Sequence, residues 1–258
     1  MTEEMKRQLA ELTGIHQGLS NLAELDHETV LSGTLPFEAS ADGLETITDK
    51  FEIELRIPHV FPDMLPRARE TEGRIERSYP HINGDGTLCL AVPIEQRRIF
   101  FEQPSLIGFV DRLVIPYLYG YCYWKQYGQH PFDEQQHGQE GIMQHYVDTL
   151  HLANELAALA IVSFLFEYGY RGHHACPCGS ELKVRKCHGP ALRDFHQHHT
   201  SQTLRHDFVS IFEICFSKFQ AGQISFPAPL RNQVLRLLGR IVKSKRQRES
   251  QGQSSIGE

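Results

Sequence analysis

The sequence predicts an α+β protein: one helix, an antiparallel β meander, a Pro- and Gly-rich crossing, then mostly helices. Three observations carry this expectation. Met5, Leu9, Leu12 and Ile15 recur at helical spacing. Phe51, Ile53, Leu55 and Ile57 alternate with Glu52, Glu54 and Arg56, the period of a strand with one buried and one wet face. Late in the chain, Phe208, Ile211, Phe212, Cys215 and Phe219 share one helical stripe, and Leu230, Val234, Leu237, Leu238 and Ile241 share another.

Taken in order, the first helix covers roughly 3–13 and loses support near Gly14. Strand signals at 29–38 and 44–50, separated by Ala41-Asp42-Gly43, precede the clear strand at 51–57. From Pro58 to Pro93 the chain is rich in Pro, Gly and charge, with a turn at Asn83-Gly84-Asp85-Gly86. A crossing of that length in a compact domain usually serves function. Leu106, Val110, Leu113 and Val114 then predict a helix from Pro104, disturbed at Pro116. A polar stretch, Tyr127 to Gly141, leads into one long amphipathic helix ending near Phe166, and Gly169 to Gly172 break the pattern.

Composition excludes several function classes. The 258 residues are 40% hydrophobic and 22% charged, enough for a core without disulfide staples and incompatible with wholesale disorder. Asp and Glu outnumber Lys and Arg by 32 to 26, which argues against a phosphate-backbone binder and for no specific nucleic-acid partner. Seven Lys or Arg between Arg231 and Arg248 read as a solvated helix face or a patch for an acidic partner. The longest apolar run, Leu156 to Phe166, falls short of the roughly 18 residues that cross a bilayer, so no membrane is expected. The start, Met1 to Lys6, has no apolar signal core, so a cytoplasmic protein is expected.

The cysteines are Cys89, Cys122, Cys176, Cys178, Cys187 and Cys215. Three lie in the segment Cys176-Pro177-Cys178-Gly179-Ser180, continuing to Cys187-His188-Gly189. Three thiols and an imidazole are the four donors of a closed tetrahedral structural zinc site. Metal binding would also explain how so short and polar a segment folds. The Cys-Pro-Cys-Gly-Ser opening, the eight-residue gap and the Cys-His-Gly close resemble the SEC-C motif found at the end of the SecA translocation ATPase. That resemblance implies zinc on Cys176, Cys178, Cys187 and His188, and a docking role for the segment. Cys122, among aromatics, and Cys215, on its apolar stripe, read as core residues.

Cys89 follows the Asn83–Gly86 turn, where the chain re-enters ordered structure. On local features it is either a small buried hydrophobe between Leu88 and Leu90 or a turn-borne thiol within reach of a macromolecular substrate. The wider stretch is more specific. Phe51-Glu52-Ile53-Glu54-Leu55-Arg56-Ile57-Pro58 runs on to Phe61-Pro62 and Pro66; Tyr79-Pro80-His81 follows, and Cys89 lies ten residues after Tyr79. This order resembles the centre of ubiquitin-conjugating (UBC) enzymes, whose strand and Pro-rich crossing lead to His-Pro-Asn and then the thioester-forming cysteine. The likeness extends over residues 1 to about 115.

The resemblance implies a UBC-like helix plus a four-stranded antiparallel meander with flanking helices. It divides the chain into a conjugating domain at 1–150, a connecting helix at 151–170, a zinc motif at 171–192 and a helical extension with a basic tail at 193–258. It casts Cys89 as the nucleophile and puts His81 where the family has its Asn. His81 then donates to an oxyanion, accepts a proton, or merely pins the turn. The segment His130 to Gly138 either flanks the cysteine or forms a solvated loop. Such departures are typical of prokaryotic members in CBASS antiphage or bacterial ubiquitin-like operons. The expected activity is acyl transfer from a protein C-terminus, of a cGAS-like nucleotidyltransferase or a ubiquitin-like modifier, to a target amine. No ATP-binding glycine loop is present, so an activating enzyme would be separate or dispensable. The alternative is a non-catalytic adaptor of the same fold.

Overall fold

The computed structural model describes residues 1–132 and 138–254, with side chains described up to Ser244. Contacts divide the chain into two units: 1–142 with 198–203, and 143–197 with 204–258.

The first unit is α+β. Helix α1 spans Glu3–Ile15, opened by the Thr2 hydroxyl, which accepts from the Met5 amide at 3.2 Å. It buries Met5, Leu9 and Leu12, the stripe expected from spacing. Four strands follow: β1 Leu19–Glu24, β2 Glu28–Ala39, β3 Ile47–Pro58 and β4 Arg67–Glu70. They form one antiparallel sheet in sequence order. Leu31 faces Leu55, Leu35 faces Phe51 and Leu55 faces Ala68. The buried face is therefore continuous across three strands. Burying Phe51, Ile53, Leu55 and Ile57 contributes about 1.5–3 kcal/mol each.

The strand boundaries differ from expectation. Residues 44–50 are not a separate strand; β3 begins at Ile47 and runs without interruption to Pro58. The remaining two strands are β1 and β4, which alternation does not mark. Helix α2, Pro93–Glu102, lies in a stretch without an expected element. Its buried face includes Arg97, whose guanidinium donates to the carbonyls of Pro62 and His198.

The next helix starts at α3, Leu106–Phe109, under the Ser105 cap, rather than at Pro104. It passes through a π-turn at Val110–Val114 into α4, Ile115–Tyr127. The Ile115 amide reaches back five residues to the Val110 carbonyl, just before Pro116, which has no amide to give. The proline therefore widens the helix locally without ending it. Tyr119 and Tyr121 are buried and add aromatic surface to the core.

The second unit is helical. The single long helix expected up to Phe166 is two: α5, Gly138–Thr149, and α6, Glu155–Tyr168. The Asn154 side chain starts α6 by accepting from the Ala157 amide at 3.0 Å. Helices α7 Gly189–His198, α8 Ser201–Gln220 and α9 Ala228–Ser254 follow. Phe208, Ile211 and Cys215 are fully buried, as their shared stripe requires, while Phe216 and Phe219 are largely exposed. No helix among the described residues is long and apolar enough to cross a membrane.

Candidate functional site

The turn before Cys89 is a short hairpin whose register fixes the site. The Asn83 amide donates to the Thr87 carbonyl, Ile82 bridges Leu88, and the Cys89 amide donates to the His81 carbonyl at 2.8 Å. The pairs are thus 83 with 87, 82 with 88, and 81 with 89. Leu88 is buried in the core, so the alternate pairs project the other way. Asn83 Nδ2 bonds to Thr87 Oγ1 at 3.0 Å, as cross-strand neighbours on one face should. The same register sets His81 directly opposite Cys89, with β-carbons roughly 4.5–5.5 Å apart.

Tyr79 and the helix α4 hold this pair in place. Tyr79 is buried, and its ring contacts those of His81, Tyr117, Tyr121, Trp124 and His130. Tyr117 donates its hydroxyl to the His81 carbonyl at 2.9 Å, so that oxygen is held by two donors. The His81 and His130 rings meet edge to face with centroids 5.0 Å apart. A cavity of about 170 Å³ opens beside Cys89, with His81, His130, Pro131 and Phe132 in its wall. His130 to Phe132 therefore flank the cysteine and are not a remote loop. Asp133 to His137 lie outside the described residues.

Electrostatics add a constraint that spacing did not reveal. Cys89 is half-buried, and burial raises its thiol above the ordinary range. At neutral pH it is a neutral thiol and needs a proton acceptor to attack. An imidazole opposite it is the right chemical type. Cys122, half-buried, points its thiol at Asp49 at 3.5 Å and is pushed up to about 12, mainly by burial. Cys215 is buried at its carbonyl contact with Glu155.

In the second unit, Cys176, Cys178, Cys187 and His188 bring their donor atoms within 4.8 Å of one another and can hold a metal ion. A hairpin delivers the first two: Cys176 donates to Leu182 at 2.7 Å and Val184 donates to His174 at 2.9 Å. At its tip Gly179 has φ +88°, a conformation side chains resist. The Cys178 and Cys187 sulfurs are 3.6 Å apart. Two thiolates at about 2.3 Å from one tetrahedral ion would be about 3.8 Å apart.

His188 is oriented by its outer nitrogen. Nε2 lies 2.9 Å from the Leu150 carbonyl, which only accepts, so Nε2 carries the proton. Nδ1 is left as a lone pair 3.3 Å from Cys176 Sγ and 3.2 Å from Cys187 Sγ. Without metal, burial raises Cys176 to about 12. For Cys178 burial is outweighed by hydrogen bonds with Ser180, Cys176 and Cys187 together, which bring it down to about 7.

Comparison with protein-family models, curated proteins and solved structures found no match. The site is therefore read from its own geometry. The sequence left His130 between a flank of the cysteine and a solvated loop, and the cavity lining places it in the wall of the cysteine site. The available signal was the i, i+4, i+7 spacing of Tyr117, Tyr121 and Trp124, an aromatic face on which Tyr79 and His130 gather.

Proposed function

We propose that this chain is a ubiquitin-conjugating-like acyl-carrier transferase with Cys89 as its nucleophile. The observation that carries the proposal is the hairpin register that sets His81 opposite Cys89 at the mouth of a cavity. Support comes also from the order of one helix, an antiparallel four-stranded meander and then the cysteine turn. In the first step Cys89 sulfur attacks the thioester carbonyl of a loaded donor, and the thiol proton passes to the His81 imidazole. The donor thiolate leaves and takes a proton, so one thioester replaces another at nearly equal energy. In the second step an amine attacks the Cys89 thioester, an amide forms, and the cysteine thiol is restored. The acyl group is a protein C-terminus, that of a cGAS-like nucleotidyltransferase or a ubiquitin-like modifier, in bacterial antiphage defence.

We assign zinc to the Cys176, Cys178, Cys187 and His188 cluster, because three thiolates and one imidazole are a soft, four-donor set. Bound there, zinc supplies folding free energy to a segment with few buried side chains. The protein's own contribution is the Leu150 carbonyl, which fixes the His188 tautomer.

A second reading, a non-catalytic adaptor of the same fold, is favoured by one observation: burial raises the Cys89 thiol. The two readings part on a gel. Transferase activity predicts a Cys89-linked protein adduct released by excess thiol when the chain is isolated with its natural partners. An adaptor predicts partner binding that survives Cys89→Ala and no adduct.

A further inference from the structure

We propose that the cavity beside Cys89 is a subsite for one large apolar, preferably aromatic, side chain of the acyl donor, next to the reacting carbonyl. This rests on the acyl-transfer reading above and names its substrate class. The cavity is about 170 Å³, and Tyr79, Tyr117, Phe132, Leu113 and Pro116 are in its wall. An apolar cavity of about 150 Å³ is enough to admit benzene. Arg112 also reaches the wall, and its guanidinium is already paired with Glu102. Cys89 lines the same cavity, so an acyl group on its sulfur would present its first side chains to these rings. A tail made only of glycine would leave that space unfilled.

Gly120 gives an independent indication. It sits inside α4, where alanine is the better helix former. Among the described residues, a β-carbon added there would meet nothing nearer than the Tyr79 hydroxyl at 3.8 Å, with Phe132 and Pro131 at 3.9 Å. These are ordinary contacts, so neither backbone geometry nor close packing demands a glycine. What the missing side chain leaves is room in the cavity, and Gly120 is one of its lining residues.

The test compares Cys89 modification by N-benzylchloroacetamide and N-methylchloroacetamide on the full chain, read by mass spectrometry of the Cys89 peptide. Both rates are normalised to the same reagents acting on glutathione. The wild type is expected to favour the benzyl reagent at least about tenfold, or 1.4 kcal/mol. Gly120→Ala is expected to cut that ratio to about threefold or less while raising the thermal midpoint by about 2 °C. Loss of selectivity with a gain in stability is a pairing that misfolding cannot produce. A ratio near one in the wild type, or one unchanged by Gly120→Ala, overturns the subsite.

If Cys89 reacts too slowly for comparison, N-benzylacetamide is titrated while the Gly120 amide resonance is followed. A saturable shift supports the subsite, and no shift overturns it. Failure of the acyl-transfer reading looks different: the benzyl preference persists, but no protein adduct forms on Cys89 with its natural partners. That outcome overturns the assignment to an acyl donor and leaves only a small-molecule preference.

Discussion

Chelating the metal is expected to unfold the segment from Gly172 to Cys187 and to leave the sheet of the first unit intact. Ordering the backbone of these sixteen residues costs about 16 kcal/mol. Val184 and Cys176 are the buried apolar side chains there, and together they return about 3 kcal/mol. Backbone hydrogen bonds such as Cys176 to Leu182, Val184 to His174 and Arg185 to Gly172 add about 5 kcal/mol. About 8 kcal/mol is then left for the metal, within a few kcal/mol of the 10–16 typical of structural zinc. The assay is metal analysis followed by hydrogen exchange with and without a strong chelator at neutral pH. One metal per chain is expected, and its removal should let the amides of Cys176, Val184 and Arg185 exchange within minutes. Amides of β2 and β3 should keep their protection. Unchanged protection at Cys176 and Val184 after the metal has gone would refute the reasoning.

Two further outcomes follow from buried groups. Tyr146 donates its hydroxyl to Asp207 at 3.0 Å, and Asp207 is fully buried, so Tyr146→Phe should cost about 1.5–3 kcal/mol in urea unfolding. A loss under about 0.5 kcal/mol contradicts this. Cys122 and Cys215 are both pushed up to about 12, chiefly by burial, and burial raises Cys89 too. An unfolded thiol ionises near 8.5, so above that pH the unfolded chain holds fewer protons than the folded one. Stability should therefore be complete below about pH 8.5 and fall steadily as pH rises toward 12. The urea midpoint at pH 10.5 should lie below that at pH 7.5, and Cys215→Ala should flatten the difference; equal midpoints in the wild type would count against it.

What could be read in advance divides along physical lines. Helix α1 and the central part of β3 were legible because each buries one face against a core, so periodicity survives in the side chains. Strand β1 was not, because only Leu19 is buried and the other five residues are exposed, which leaves no alternation to detect. Strand β4 is the four residues Arg67-Ala68-Arg69-Glu70, and Ala68 alone faces the core. Helix α2 hides because one of its buried positions is an arginine, kept there by two carbonyl partners. The metal cluster was legible because donor spacing is local, with hairpin and helix start only a few residues apart. His130 was legible only as one of two alternatives, since it is 49 residues from His81 in sequence and is brought to it by Tyr79 and Trp124. The raised Cys89 thiol likewise depends on burial, which spacing does not encode.

The claim that matters most is that Cys89 carries an acyl group. Intact-mass and peptide mapping of the chain from its own host, as wild type, Cys89→Ser and Cys89→Ala, tests it most directly. The account predicts a protein C-terminus joined to the Cys89 peptide through a thiol-labile bond, a thiol-stable ester in the serine variant, and nothing in the alanine variant. An adduct that persists in Cys89→Ala, or no adduct in any form with the natural partners present, would contradict it.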